Sequence, residues 1–287
     1  MVSFTPAEQK LFGGVAVITG AGAGIGAAFA RRAGRLGMMV YVTDISLESA
    51  TCVSKSIQEQ GGSAEAMQVD VSRAEELDRL SDVIFAKHSS VRLLINNAGI
   101  ETLGFVWEIS AERWDKTLNV NLHGAIHGVR AFAPRMIASG EECWIANLAS
   151  IGALSMMPTQ TAYILTKHAV QSFSECLYLE MHLKGLPIHV SSVLPGMLKT
   201  DIFNVSAAEE EPGPAAQYRE RMYHMMKNYG MNVDEGCTVM LSQIAEGKFW
   251  VSSQPDMTSA SAAGRIEFLR EQKNPEVAES AKHLLGD

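Results

Sequence analysis

The sequence predicts an α/β fold: a doubly wound parallel sheet of about seven strands with helices on both faces, a single domain over residues 1–287. Two observations predict it. Short apolar runs recur without alternating polar residues, the pattern of strands covered on both faces. Between them lie longer stretches with helical spacing, and strand–helix–strand repeated along a chain packs as a parallel sheet with right-handed crossovers. No internal repeat, low-complexity tract or interdomain linker interrupts this order.

The first strand is GVAVIT (14–19), a β-branched run that ends in glycines, and helical spacing follows over 24–36. MMVYVT (38–43) is the second strand, before a helix at 46–60. AEAMQVD (64–70) is a weaker third strand, before a helix at 73–88. VRLLIN (91–96) and CWIANLA (143–149) are the fourth and fifth, followed by a helix at 161–183. PIHVSSVLP (187–195) and KFWVSS (248–253) complete the set. Residues 201–235 are irregular, with EEEPGP (209–214) and then a run rich in Met and Tyr. Because the sheet resumes at 248, this stretch reads as an insertion within the domain, and 254–287 as a C-terminal extension.

Composition narrows the function. The chain is 47% hydrophobic and 20% charged, ordinary for a soluble globular protein, and its 287 residues can bury a large core. A net charge of −8 argues against nucleic acid, which needs a basic face to neutralise phosphates. No run approaches the ~18 uncharged apolar residues that insertion into a bilayer requires. The start, MVSFTPAEQK, lacks the charged-then-apolar order of a signal peptide. Cys52, Cys143, Cys176 and Cys237 are far apart and form no Cys-x-x-Cys pair. They read as free, mostly buried thiols in a reducing compartment, the cytoplasm. His123, His127, His168, His182 and His189 lack a convergent third ligand, so no metal site is expected.

VITGAGAGIG (17–26) joins the first strand to the first helix. Gly20, Gly22, Gly24 and Gly26 let the backbone turn tightly and approach a ligand. Free N–H groups at the helix start then face a pyrophosphate. With Asp44 about 20 residues on, at the end of the second strand, the arrangement is that of a Rossmann-type dinucleotide site. The Asp44 carboxylate can accept both ribose hydroxyl protons of an adenosine and repels a 2′-phosphate. Positions 45 and 23 are Ile and Ala, with no cation to offset that repulsion, so NAD is favoured over NADP. The competing role for Asp44 is at the start of the next helix.

TAYILTK (161–167) holds Tyr163 and Lys167 on one helix face, a turn apart. An unperturbed phenol titrates near ~10, and a neighbouring ammonium favours the phenolate. A base poised nearer the working pH is more effective, which suits hydride transfer between an alcohol or ketone and a nicotinamide.

Taken together these stretches resemble the short-chain dehydrogenases/reductases. TGAGAGIG (19–26), VDVS (69–72), NNAG (96–99), Asn121 in NVNLHG, Ser150, YILTK (163–167) and PGMLKT (195–200) match that family's ordered motifs, and Ser150 stands 13 residues before Tyr163. Ala149 departs from it, where many members carry a second serine. The likeness covers about residues 12–253. It implies a catalytic set of Asn121, Ser150, Tyr163 and Lys167. It also implies cofactor contacts at Gly20, Gly24, Ile25, Gly26, Asp44, Asp70, Val71, Asn97, Ala98, Gly99, Tyr163, Lys167, Pro195, Gly196, Leu198 and Thr200. Asp70 and Val71 would hold the adenine. Ser150 would hydrogen-bond the substrate oxygen, and Asn121 would bind a water linking Lys167 to solvent.

The resemblance further implies that 201–235 closes over the substrate, and that copies pair through long helices at about 105–137 and 161–183 into a homotetramer or homodimer. Phe173, Leu177 and Leu179 could serve that contact or pack the core. Met222, Tyr223, Met226 and Tyr229 would form one apolar helix face, with Met156, Met157 and Met197 near the active-site motifs. Methionine adapts to irregular shapes, so either these methionines pack the lid helix on the domain or they wall a pocket for a bulky apolar secondary alcohol or ketone: a steroid, terpenoid or aromatic compound. The alternatives are an NADP-dependent ketone reductase and a non-catalytic NAD(H)-binding sensor or scaffold on the same fold.

Overall fold

β1 (Val15–Thr19) is buried along its whole length, and its side chains divide by parity. Ala16 and Ile18 join one apolar cluster, Val15 and Val17 another, as expected of a strand covered on both faces. In a computed structural model, which describes residues 4–204, 211–277, 279, 281 and 282, this strand lies inside a parallel sheet of seven. The others are β2 (Met39–Asp44), β3 (Ser63–Gln68), β4 (Leu93–Asn96), β5 (Cys143–Leu148), β6 (Ile188–Leu194) and β7 (Trp250–Ser252). Their order is β3-β2-β1-β4-β5-β6-β7. The chain therefore reverses direction across the sheet between β1 and β4, and the carboxyl ends of strands flanking such a point are where ligands bind in open α/β sheets.

One face is covered by α1 (Gly24–Arg35), α2 (Leu47–Glu59) and α8 (Val233–Ala245), through residues such as Phe29, Val53 and Leu241. The other is covered by α3 (Ala74–Lys87), α5 (Gly124–Ser139) and α6 (Thr161–Leu183), through Leu80, Phe132 and Leu177. Ser46 caps α2 by accepting from the Ser49 N–H at 3.2 Å, and Asn232 caps α8 by accepting from Asp234 and Glu235. A buried Arg32–Glu8 pair at 2.8 Å ties the amino-terminal turn to α1.

The predicted long helix at 105–137 is built differently. α4 (Ala111–Leu118) begins only after Ser110, whose hydroxyl caps it by accepting from Arg113 N. A π-helical turn, Asn119–His123, then joins it to α5, which ends at Gly140 with φ +67°. The strand at 64–70 is realised as β3, and Val69 and Asp70 fall beyond its end. In the 201–235 stretch the described residues form α7 (Gly213–Tyr229) and the start of α8, with α9 (Pro255–Glu271) in the C-terminal extension. Residues 205–210 of that stretch, and 278, 280 and 283–287 of the extension, lie outside the described residues.

One packing expectation is corrected and one open alternative is decided. Cys143 and Cys237 are buried, but Cys52 and Cys176 are exposed, because both sit on helix faces turned from the sheet. Phe173 and Leu177 pack into the core beneath α6, and only Leu179 of that trio is exposed.

Candidate active site

The turn between β1 and α1 is shaped by its glycines. Gly20 (φ +60°) and Gly24 (φ +53°) hold left-handed conformations that favour a residue without Cβ. A Cβ on Gly26 would press against the Gly20 carbonyl and the Asn97 amide, and one on Gly22 would stand 2.9 Å from the Asp44 carboxylate. That carboxylate closes the corner, accepting from Gly22 N at 2.9 Å and Ser46 N at 3.0 Å. Ser46, not Asp44, caps α2. The start of α1 has no side-chain cap and no acid in its first turn, which leaves its positive end for an anion.

The ends of β1 and β4 are stitched together here. Asn97 Nδ2 donates to the carbonyls of Thr19 (2.8 Å) and Gly20 (2.9 Å), while Asn97 N and Ala98 N donate to Thr19 Oγ1. Ile25 packs against the core below, and Thr200 lies over Gly24, its methyl 3.6 Å from where a Cβ would stand. Asp70 Oδ1 accepts from Ser72 N and Oγ, and Val71 is buried against Gly124. Pro195 accepts from Ile151 N at 3.1 Å. Gly196 N donates to Ser253 Oγ, and Leu198 is buried and bridged to Met231.

Ser150 follows β5 and caps a short 3-10 turn, Ile151–Leu154, with its Oγ accepting from Gly152 N at 3.0 Å. Tyr163 stands in the first turn of α6, facing that serine. Burial and nearby Glu101 hold the Tyr163 phenol above its ordinary value, with Ser150 opposing. Lys167, one turn on, is buried, and its Nζ donates to the Leu148 carbonyl at 2.8 Å. The ammonium stands over the Tyr163 ring, 5.4 Å from the centroid. Burial brings Lys167 down to about 8, with Glu101 opposing. The expected depression of the phenol by the lysine is thus absent in this state, because desolvation dominates both groups.

Asn121 is held through its side-chain amide. Its Oδ1 accepts from Ile100 N at 2.8 Å, and its Nδ2 donates to Ile100 O and Thr166 Oγ1. With its amide so engaged, the side chain pins the 97–100 segment to α6. The π-helical turn aims it there, a distortion common at functional sites. Gly99 lies against both groups: a Cβ there would stand in ordinary contact, 3.5 Å from Asn121 Oδ1 and from Lys167 Nζ.

The sequence did not reveal the wall beside Tyr163. Glu101 Oε2 accepts from Gln160 Nε2 at 3.0 Å, and Gln160 Oε1 accepts from the Tyr218 hydroxyl at 2.9 Å. Behind them Arg219 and Glu211 form a buried ion pair, joined by Arg113 at 3.3 Å. Arg219 also donates to the carbonyls of Ile202 and Glu101. Desolvation pushes the Glu101 carboxyl up to about 8 despite Arg219. The only signal in the sequence was an acid in the otherwise uncharged stretch GIETLGF. Around this polar group lies an apolar cluster of Leu103, Phe203, Ala215, Tyr218 and Met226, flanked by Met157, Met197, Met222 and Tyr223. Tyr229 and Met156, expected to share that surface, are exposed instead.

The histidines hold packing contacts: His127 Nδ1 lies 3.2 Å from Val71 O, and His189 pairs with Glu142. Among the described residues no three His, Cys, Asp or Glu side chains gather as a metal site, and no helix is long and apolar enough to cross a membrane.

Residues 14–211 match the sequence model of the short chain dehydrogenases. The chain belongs to this family. "Cyclohexanol dehydrogenase" of Acinetobacter sp. is 35% identical over 198 residues, 68% of this chain and 77% of that protein. "3beta-hydroxysteroid dehydrogenase 1" of Eggerthella lenta is 34% identical over 210 residues, 73% of this chain and 80% of that one. The match to "Probable oxidoreductase EphD" of Mycobacterium tuberculosis, 31% identical, takes in 74% of this chain but spans only 36% of that protein. Among solved structures, a short-chain dehydrogenase/reductase from Burkholderia phymatum in complex with NAD superposes with a TM-score of 0.87 at 30% identity, covering 94% of this chain and 98% of that one. A metagenomic short-chain oxidoreductase in complex with NADP gives 0.62 at 32% identity, covering 70% and 92%. The parallel seven-stranded sheet is thus the short-chain dehydrogenase fold.

Proposed function

We propose that this short-chain dehydrogenase interconverts a bulky, largely apolar secondary alcohol and its ketone with NAD as the hydride acceptor. The observation that carries the reading is the convergence of Ser150, Tyr163 and Lys167 beside the Gly99 turn, next to the glycine corner closed by Asp44. The cradle fits a dinucleotide: Gly20 and Gly24 supply left-handed turns, Gly22 and Gly26 let the turn pack closely on Asp44 and Asn97, and α1 offers an uncapped positive end. Gly20, Gly24, Ile25 and Gly26 would hold the pyrophosphate, Asp44 the adenosine ribose, Asp70 and Val71 the adenine. Asn97, Ala98, Gly99, Pro195, Gly196, Leu198 and Thr200, with Tyr163 and Lys167, would line the nicotinamide end. Bound there, NAD supplies the acceptor for the hydride that leaves the carbinol carbon.

The chain's own residues handle the proton. Ser150 orients the substrate oxygen and stabilises charge that develops on it. Tyr163 takes the hydroxyl proton as the phenolate and returns it in the reverse direction. Lys167 holds positive charge against the Tyr163 ring, and Asn121 acts as a positioning residue that fixes Gly99 and Ile100 against α6. The apolar cluster beneath α7 supports the substrate class, and the substrate names of the Acinetobacter and Eggerthella relatives agree with it. The stretch 201–235 would act as the lid, and one catalytic unit would span the chain. Exposed Leu165, Leu179 and Leu183 on α6 support a homodimer or homotetramer through that helix. A cytoplasmic setting agrees with four free thiols.

Replacing Tyr163 with Phe and following NAD reduction with cyclohexanol or a 3β-hydroxysteroid tests the reading. The expected loss in kcat is about 10²–10⁴-fold in a folded protein. Turnover close to wild type would remove the assignment. The metagenomic relative's NADP makes an NADP-dependent reductase the second reading. Dissociation constants for NADH and NADPH decide between them.

A further inference from the structure

The apolar wall facing Tyr163 contains one polar spot whose partners do not add up. Glu101 Oε2 is held by Gln160, itself held by the Tyr218 hydroxyl. Glu101 Oε1 is sequestered from solvent and has no hydrogen-bond partner among the described residues. The nearest cation cannot serve it. Arg219 is buried with Nε and Nη2 on the Glu211 carboxylate, and it reaches Glu101 only at the main-chain carbonyl, 3.3 Å away. The carboxyl is close enough to Tyr163, Lys167 and Tyr218 to perturb all three electrostatically. Leu103, Met157, Met197, Phe203 and Met222 around it offer no polar atom of comparable strength.

We propose that Glu101 is a specificity residue for the dehydrogenase reaction, its Oε1 accepting a hydrogen bond from a second hydroxyl or an ammonium carried by an otherwise apolar alcohol substrate. The inference rests on the reading of Tyr163 as the proton acceptor, since it places Glu101 in the same cleft. The physical reason is an imbalance. An unmet buried acceptor costs about 1–3 kcal/mol, and a ligand that supplies the donor recovers it. A ligand without a donor leaves the oxygen unpaired, so discrimination comes as much from rejection as from attraction. Gln160 and Tyr218 fix the carboxyl's orientation, so the acceptor is set before the ligand arrives. Burial raises this carboxyl to about 8 despite the bond from Gln160, so Oε1 acts as an acceptor in the ionised form and the comparison below is made at about pH 9.

The test uses the positional isomers of cyclohexanediol and their monomethyl ethers, which keep the second oxygen but lose its proton. For wild-type protein with NAD, the best diol is expected to exceed its own ether at least ~10-fold in kcat/KM. In Glu101→Leu, that ratio falls to near one, with the fold checked by thermal unfolding and NADH binding. Glu101→Gln keeps one acceptor and gives an intermediate ratio. A wild-type ratio near one for every isomer overturns the proposal, as does a ratio that persists in Glu101→Leu. If wild-type protein oxidises none of these alcohols, the dehydrogenase reading on this substrate class fails separately. The comparison is then read as binding, from the thermal shift each ligand gives the NADH-loaded protein. Equal shifts for diol and ether overturn the Glu101 proposal.

Discussion

The glycine corner after β1 and the wall facing Tyr163 both place polar groups inside an apolar protein, but they are assembled over different ranges of chain. At the corner the geometry is set by backbone: left-handed Gly20 and Gly24, the first-turn amides of α1, and Asp44 meeting Gly22 only 22 residues away. At the wall it is set by side chains drawn from distant segments, with Gln160 reaching Glu101 across 59 residues and Arg219 reaching it across 118. A backbone device tolerates change in the side chains around it. A side-chain network depends on every member being present and paired.

The largest effect expected from that difference is at Arg219. Replacing it with Leu leaves Glu211 buried with the longer contacts to Arg113 and Leu103 N, and removing one partner of a buried pair costs about 3–5 kcal/mol. Urea unfolding of Arg219→Leu should show the loss, and the double variant with Glu211→Leu should recover much of it. A double variant no more stable than the single would mean that the pair is not what holds α7 in place.

Glu101 gives the next effect, with a definite sign. Its folded-state pKa, about 8, lies above the ordinary 4.5, so the folded protein keeps a proton that the unfolded chain has lost. Its contribution is therefore full below pH 4.5 and is lost as pH rises through 8. Glu101→Gln has no such loss. The stability of the variant relative to wild type should rise by about 2–4 kcal/mol between pH 5 and 8. Lys167, whose pKa is lowered, contributes in the opposite sense above pH 8 and is common to both proteins. A difference that stays flat over this range would place the Glu101 carboxyl in contact with water. At the corner, Gly26→Ala should cost about 1–3 kcal/mol, read as 10–100-fold weaker NADH binding, because its Cβ meets the Gly20 carbonyl and the Asn97 amide. Unchanged affinity would mean the turn can widen freely.

The same contrast explains what was legible in the sequence. The sheet could be read because its inner five strands are short apolar runs buried on both faces, with the half-exposed edge strand β3 the weaker signal, and the glycine corner because positive φ and close approach demand glycine at fixed spacing. Ser150, Tyr163 and Lys167 lie within 18 residues and on two consecutive elements, so their meeting follows from local structure. Glu101, Gln160 and the adjacent pair Tyr218 and Arg219 sit on three segments far apart in the chain, and only the tertiary fold brings them together. The start of the helix predicted at 105 was misplaced for a related reason. Nothing in VWEIS marks it as loop, whereas the Ser110 cap decides the boundary through one hydrogen bond. The π-helical turn at Asn121 has no compositional signature either, because its register is set by the side chain's two bonds to Ile100.

The smallest effect expected is at Asp44, and it tests whether the corner reads its ligand's charge. Asp44→Asn keeps the shape, and Asn Oδ1 can still accept from one of Gly22 N and Ser46 N. What it removes is the negative charge. A neutral amide bonds ribose hydroxyls less strongly than a carboxylate does and no longer repels a 2′-phosphate. The ratio of NADPH to NADH dissociation constants should therefore fall by about tenfold, worth 1.4 kcal/mol, with the fold retained in thermal unfolding. Both constants come from fluorescence titration of the same protein, so errors in active fraction cancel. If the ratio does not move, the Asp44 carboxylate serves only to join the β1–α1 turn to the start of α2. Any preference for NAD would then have to come from the shape of the surface around exposed Ile45 rather than from charge.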